Sequence, residues 1–166
     1  MGEAPSQEPR AVEVVGPATG FRTEVEVGGH HLVVDEPLAV GGTDAGPSPY
    51  EILLAGLGAC TAMTLRLYAD RRKWPLERVR VSLRHRKVHA QDCVDCEKKP
   101  AKMDVVDRVV FLDGALDEAQ RAKLLEIAER CPVQQTLQSE IQVNTRAGSR
   151  GSDPAGGPPR PSRSEG

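Results

Sequence analysis

Apolar and polar positions alternate through "FRTEVEVGGHHLVVD", with Phe21, Thr23, Val25 and Val27 in one phase. The alternation breaks at Gly28-Gly29 and returns through Leu32 to Val34, which predicts a β-hairpin. "GGTDAGPSP" then predicts a loop. At Ser48 the pattern changes. Ser48 suits an N-cap, Pro49 a first helical position, and Glu51 closes a capping box, so a helix is predicted from there to about Lys73, stopping before Pro75. In "LERVRVSLRHRKVHA", Val79, Val81 and Leu83 alternate with Arg78, Arg80 and Arg84, as in a half-exposed strand. "MDVVDRVVFLDG" predicts another strand. "LDEAQRAKLLEIAERC" predicts an amphipathic helix with the stripe Leu116, Ala119, Leu124, Ile127 and Ala128. A short helix is predicted from Pro132 and a last strand over "EIQVNT". Strands, long helix, strands, helices and strand make an α+β domain with a mostly antiparallel sheet.

The long helix is unusual in being apolar all round. Leu53, Leu57, Cys60, Thr64 and Leu67 form one stripe, and Ile52, Leu54, Ala55, Ala59, Ala62, Met63 and Leu65 leave the other faces apolar too. Such a helix is buried on every side, more than one small domain can provide. A second subunit in a two-fold dimer is therefore expected to cover part of it. Gly56 and Gly58 each cost roughly 1 kcal/mol of helix propensity against Ala. Retaining both implies close approach of another backbone, or room for a substrate beside Cys60.

Length and composition narrow the class. The chain has 166 residues and a formal net charge of -2, so no general affinity for nucleic acid is indicated. One Trp, two Tyr and two Phe are too few for a base-stacking surface. No run approaches the ~20 apolar residues that span a bilayer. "MGEAPSQEPR" lacks an apolar signal core, and a cytoplasmic location without membrane association is expected. Residues 1–10 and the Gly/Pro/Ser/Arg-rich tail 146–166 cannot pack a core and are expected to be disordered, leaving a single domain over 11–145.

Four cysteines then become the most informative feature: Cys60, Cys93, Cys96 and Cys131. In a reducing compartment they rest as thiols, metal ligands or redox pairs. Burial alone would make Cys60 inert. It lies too far from the start of its helix to feel the dipole, so a cation or donor from elsewhere would have to activate it. Cys131 directly precedes Pro132, an N-cap position where backbone amides stabilise a thiolate. Two readings stay open: core filler with an accidental cap, or a pair in which one thiol attacks a peroxide and the other resolves the sulfenic acid. "HRKVHAQDCVDCE" adds a C-x2-C with His89 near a strand end, and His85 further back. Cys93, Cys96 and His89 are metal candidates, with a second dithiol pair and a plain loop as the other readings.

"SPYEILLAGLGACTAM" and "AERCPVQQTLQSEIQV" resemble the OsmC/Ohr family, bacterial thiol peroxidases named for osmotic induction and organic hydroperoxide resistance. The resemblance implies an OsmC-like fold: an intertwined homodimer with the long helices at its centre and sites at the interface. It implies Cys60 as the attacking thiol and Cys131 as its resolving partner. It implies reduction of organic hydroperoxides by a dithiol such as a lipoyl protein or a thioredoxin-like protein, without metal, haem or other cofactor. Two positions depart from the family. Tyr50 stands where members carry an activating Glu, with Glu51 one step later, and "DEPLAVGGTDAG" lacks the Arg that pairs with that Glu. Arg22, or one of His30 and His31, is the candidate substitute, with Glu51 as the acidic one. On the same scaffold, the alternative function is a non-catalytic protein that binds a small hydrophobe, or senses zinc or redox state.

Overall fold

A computed structural model describes residues 10–89 and 102–148. The expectations for residues 1–9, for the tail beyond 148 and for Cys93 and Cys96 lie outside the described residues, as does the His89 side chain. The described chain falls into two compact units, divided at Ser48/Pro49 and again at Gln142/Val143.

The first unit holds an antiparallel sheet of three strands, β1 (Val12–Val15), β2 (Thr23–Val27) and β3 (His30–Val34), in that order. The predicted hairpin is β2–β3, with Val27 opposite His30. Its turn needs positive φ at both central residues, and Gly28 and Gly29 take φ 56° and 81°. After β3 the chain loops around Asp35. One of its carboxylate oxygens accepts from the amide of Glu36 (2.8 Å). The other accepts from the amide of Thr43 (2.9 Å), its hydroxyl (2.5 Å) and the amide of Ala45 (3.2 Å). The Thr43 hydroxyl and these amides hold the carboxyl at about 2, below its ordinary 3.8. Gly42 permits the closure, because a Cβ there would fall 1.7 Å from the Glu36 carbonyl oxygen.

The second unit begins with α1 (Pro49–Arg72), followed by β4 (Leu76–His89), β5 (Lys102–Gly114), α2 (Glu118–Ala128) and α3 (Pro132–Gln138). β4 and β5 pair antiparallel along their whole length, from Leu76 opposite Gly114 to His89 opposite Lys102. α1 packs on β4, α2 and α3. Leu65, Ala69, Leu76, Leu116, Leu124, Ile127 and Ala128 form the core, with Val79, Val110 and Leu112 of the sheet against them. Asp117 caps α2 in a reciprocal box with Gln120 (2.7 and 3.1 Å). Arg121 ties the end of β5 to α2 by donating to the carbonyls of Leu112 (2.7 Å), Gly114 (3.0 Å) and Leu116 (3.3 Å).

The α+β class and the antiparallel pairing agree with the sequence reading, and three details do not. The buried stripe of α1 is Leu57, Gly58, Thr61, Leu65 and Ala69. Leu53 and Leu67, assigned to it by period, are half exposed in the single chain. An all-round apolar helix gives periodicity nothing to lock onto, so the pattern missed the packed face by about one position. Second, "EIQVNT" pairs with no strand among the described residues, because Ile141 and Val143 alternate without a ladder to join. Third, by length and composition α1 could cross a bilayer, as buried helices of soluble folds also can. Its glycines and alanines count as apolar without being large, which is why the run looked too short.

Candidate functional site

α1 carries Cys60, and the turn between α2 and α3 carries Cys131. Because α1 packs on both of those helices, the two thiols are brought close enough to perturb each other. Cys131 is 0% exposed and Cys60 partly so. Burial, then the bond to Cys131, pushes the Cys60 thiol up, against weaker pulls from the Val133 amide and the Thr64 hydroxyl. Burial also opposes charge on Cys131. There the hydrogen bond from Cys60, the Gln134 amide, the Thr61 hydroxyl and the Val133 amide together win, and that thiol is lowered. The two shifts run in opposite directions, favouring negative charge on Cys131 over Cys60. Cys131 takes the expected N-cap position of α3, although its sulfur makes no full capping hydrogen bond.

Behind Cys131 stands a chain of polar groups absent from the sequence reading. The fully buried Thr61 donates its hydroxyl to the Leu57 carbonyl (2.8 Å) and accepts from the Arg108 guanidinium (3.1 Å). Arg108 comes from β5 and is only 10% exposed. Its other terminal nitrogen donates to Glu129 (2.8 Å). Glu129 also accepts from the Gln134 side chain (2.7 Å), and that bond and the Arg108 charge hold its carboxyl below the usual range. The signal was present in the strand: Arg108 is in phase with Val110 and Leu112, which pack on the core. An inward charge on an apolar phase must have partners.

A cleft of about 400 Å³ opens beside this chain, lined by Leu57, Val106, Leu137, Asp104, Arg108, Glu129, Gln134 and Gln138. At the Asp104 end, His85 pairs with Asp104 (2.7 Å) and stacks on Tyr50, with ring centroids 4.5 Å apart. Tyr50 thus occupies its departed family position as an aromatic platform.

The substitute activators fare differently. Glu51 sits nine residues before Cys60, a half-turn away around the helix and ~14 Å along it. It lines an open groove of about 460 Å³ with Ala55, Gly58, Ala59 and Ala62, so it is not brought to the thiols. Arg22 lies in the first unit and pairs with Glu24 (2.5 Å), as does His31 (2.6 Å). Gly58 makes room for a side chain rather than a backbone: a Cβ there would meet Leu83 at 2.8 Å, whereas one at Gly56 would meet nothing. Among the described residues, no group of three or more His, Cys, Asp or Glu could hold a metal ion.

The sequence pattern of the OsmC-like protein family matches residues 42–146. Among solved structures, an organic hydroperoxide resistance protein OsmC from Legionella pneumophila is 22% identical with a TM-score of 0.59, covering 80% of this chain and 91% of its own. An OsmC-like protein from Mycoplasma pneumoniae is 16% identical with a TM-score of 0.61, covering 79% and 88%. An organic hydroperoxide resistance protein from Elizabethkingia anophelis is 17% identical with a TM-score of 0.60, covering 84% and 94%. No curated protein matches the chain. At such identities the structural likeness carries the fold, and the family pattern covers both cysteines and the chain of groups behind them. The chain belongs to the OsmC-like protein family.

Proposed function

We propose that the protein is a two-cysteine peroxidase for organic hydroperoxides, an oxidoreductase with Cys60 as attacking thiol and Cys131 as resolving thiol. The observation that carries this reading is that two sulfurs distant in sequence lie close enough to perturb each other. Cys60 is the better exposed of the two and so the one a peroxide reaches first. Its thiolate attacks the terminal oxygen of R–OOH, the O–O bond breaks and alcohol leaves, and Cys60 becomes a sulfenic acid. Cys131 thiolate attacks the Cys60 sulfur, hydroxide leaves as water, and a disulfide forms. An external dithiol, a lipoyl or thioredoxin-like protein, returns the pair to thiols. The Leu57, Val106 and Leu137 wall of the neighbouring cleft favours an alkyl substituent over hydrogen peroxide itself.

The working form in this proposal is a cytoplasmic homodimer. Met63 on α1 is 71% exposed, Leu53 and Leu67 are half exposed, and the shallow groove of small residues runs along the same helix. A second copy would cover the side that carries Leu53, Met63 and Leu67.

Turnover of cumene hydroperoxide with dihydrolipoamide tests the reading. Wild-type protein should consume the hydroperoxide, and Cys60→Ser should abolish consumption. An equal rate in the two proteins would mean that Cys60 is not the attacking thiol, and no consumption by wild type would leave a binding protein on this scaffold instead.

A further inference from the structure

The β4–β5 hairpin has two faces of opposite character. Val79 packs on the core, and with it the alternate positions of β4 turn toward the helices. Arg78, Arg80, Arg84 and Arg86 belong to the other phase and are exposed. The register sets Asp113 opposite Arg78, Phe111 opposite Arg80, Val109 opposite Ser82 and Asp107 opposite Arg84. Two of these arginines are neutralised on the face itself, Arg78 by Asp113 (2.7 Å) and Arg86 by Asp107 (2.9 Å). Arg80 and Arg84 have no carboxylate partner among the described residues. Arg80 instead lies over the Phe111 ring, its guanidinium carbon 3.6 Å from the centroid, which holds the charge in place. Midway between the two, Ser82 is short and Val109 beside it is 53% exposed. The face therefore offers a cation, an apolar dip and a second cation at successive alternate positions, on a chain whose formal net charge is -2.

We propose that this outer face docks an extended acidic segment of a partner protein, with acidic side chains four positions apart on Arg80 and Arg84 and an apolar side chain midway over Ser82 and Val109. An extended chain puts every second side chain on one side, and at ~3.3 Å per residue its spacing is that of the arginines themselves. Each guanidinium can take a carboxylate through two parallel N–H groups. Other anions fit less well. A polyanion charged at every step would run over Asp107 and Asp113, which stand in the same face. An anionic bilayer surface is held by apolar side chains that insert, and here Phe111 lies beneath Arg80. The face points away from α1, which carries Cys60, so the docking surface stands apart from the peroxidase reading.

The test is fluorescence anisotropy of a labelled peptide with the core Glu-Thr-Leu-Thr-Glu, titrated with the full-length protein at low ionic strength. The peptide should bind, and one of the same composition with its two glutamates adjacent should bind about threefold more weakly. Arg84→Ala should weaken binding about threefold and Arg84→Glu about tenfold, with the melting temperature unchanged because that side chain is exposed. Arg80→Ala should act alike, and if uncovering Phe111 lowers its melting temperature, the Arg84 variants decide. No saturable binding, equal binding of the two peptides, or indifference to Arg84→Glu overturns the proposal. Tighter binding of an oligothymidine of the same length, or of phosphatidylglycerol vesicles, also overturns it and makes nucleic acid or membrane the occupant. Peptide binding by a protein that consumes no hydroperoxide would uphold the docking surface while sinking the peroxidase reading.

Discussion

Asp35 and Cys131 are both buried acids, 1% and 0% exposed, and both are stabilised as anions, but by different kinds of neighbour. Every donor to Asp35 lies within the loop it organises, from Glu36 to Ala45, and three of the four are backbone amides. Those amides have nowhere else to go once the loop has closed. Cys131 is served by the local amides of Val133 and Gln134 and also by groups from two other stretches of chain: Cys60 and Thr61 of α1 and, through Thr61, Arg108 of β5. Two of these are side chains whose protons can move. An anion clamped by local backbone braces a loop, whereas one held by exchangeable side-chain protons can take part in chemistry.

The largest effect that sharpens this contrast is on the thiol side. Cys131→Ser should end steady-state turnover yet still allow one round of attack. Cys60 would then accumulate as a sulfenic acid that dimedone traps, visible by mass spectrometry. No adduct on Cys60 would mean that the attacking sulfur lies elsewhere.

Next comes the acid limb of stability. The folded carboxyl of Asp35 sits at about 2 against an ordinary 3.8. A depressed value means that its contribution is complete above 3.8 and is lost as pH falls toward 2. Asp35→Asn should lower the melting temperature at neutral pH and flatten its fall across that window. A variant melting curve parallel to wild type throughout would show that Asp35 is not the group being protonated. Thr43→Val removes one donor of four and should give the same change in smaller measure.

The smallest effect is expected at Arg86–Asp107 on the β4–β5 hairpin, a 2.9 Å pair with both side chains more than half exposed. Its carboxyl is lowered by Arg86, but water screens such pairs. Arg86→Gln should leave the melting temperature where it was. A loss as large as that of Asp35→Asn would mean that surface charge, rather than saturation by local donors, governs the acid limb.

Most of the second unit was legible in the residues, because its signals are local. Pro49 opens α1, Pro75 follows its end, and Lys73 closes it in the left-handed region (φ 55°). The alternation of Val79, Val81 and Leu83 marks β4, and Pro132 opens α3. β1 escaped notice because four exposed residues bury nothing that a period could report. The last strand failed for the opposite reason, a strand-like pattern with no neighbour to pair with. At the site, Cys60 and Cys131 stood out by residue type and by resemblance. Arg108, Thr61 and Glu129 did not, since each is ordinary in its own element: an arginine in a strand, a threonine in a helix, a glutamate at a helix end.

The sequence by itself determined where helices and strands begin and end and which sulfurs were available, because caps, turns and periods act over a few residues. Only the tertiary structure decided that these sulfurs come near each other, that a buried guanidinium stands close by on Thr61, and that Glu51 faces away. Those relations depend on how α1, β5 and α2 pack together, and a hydrogen bond between residues far apart in the chain leaves no period in either segment.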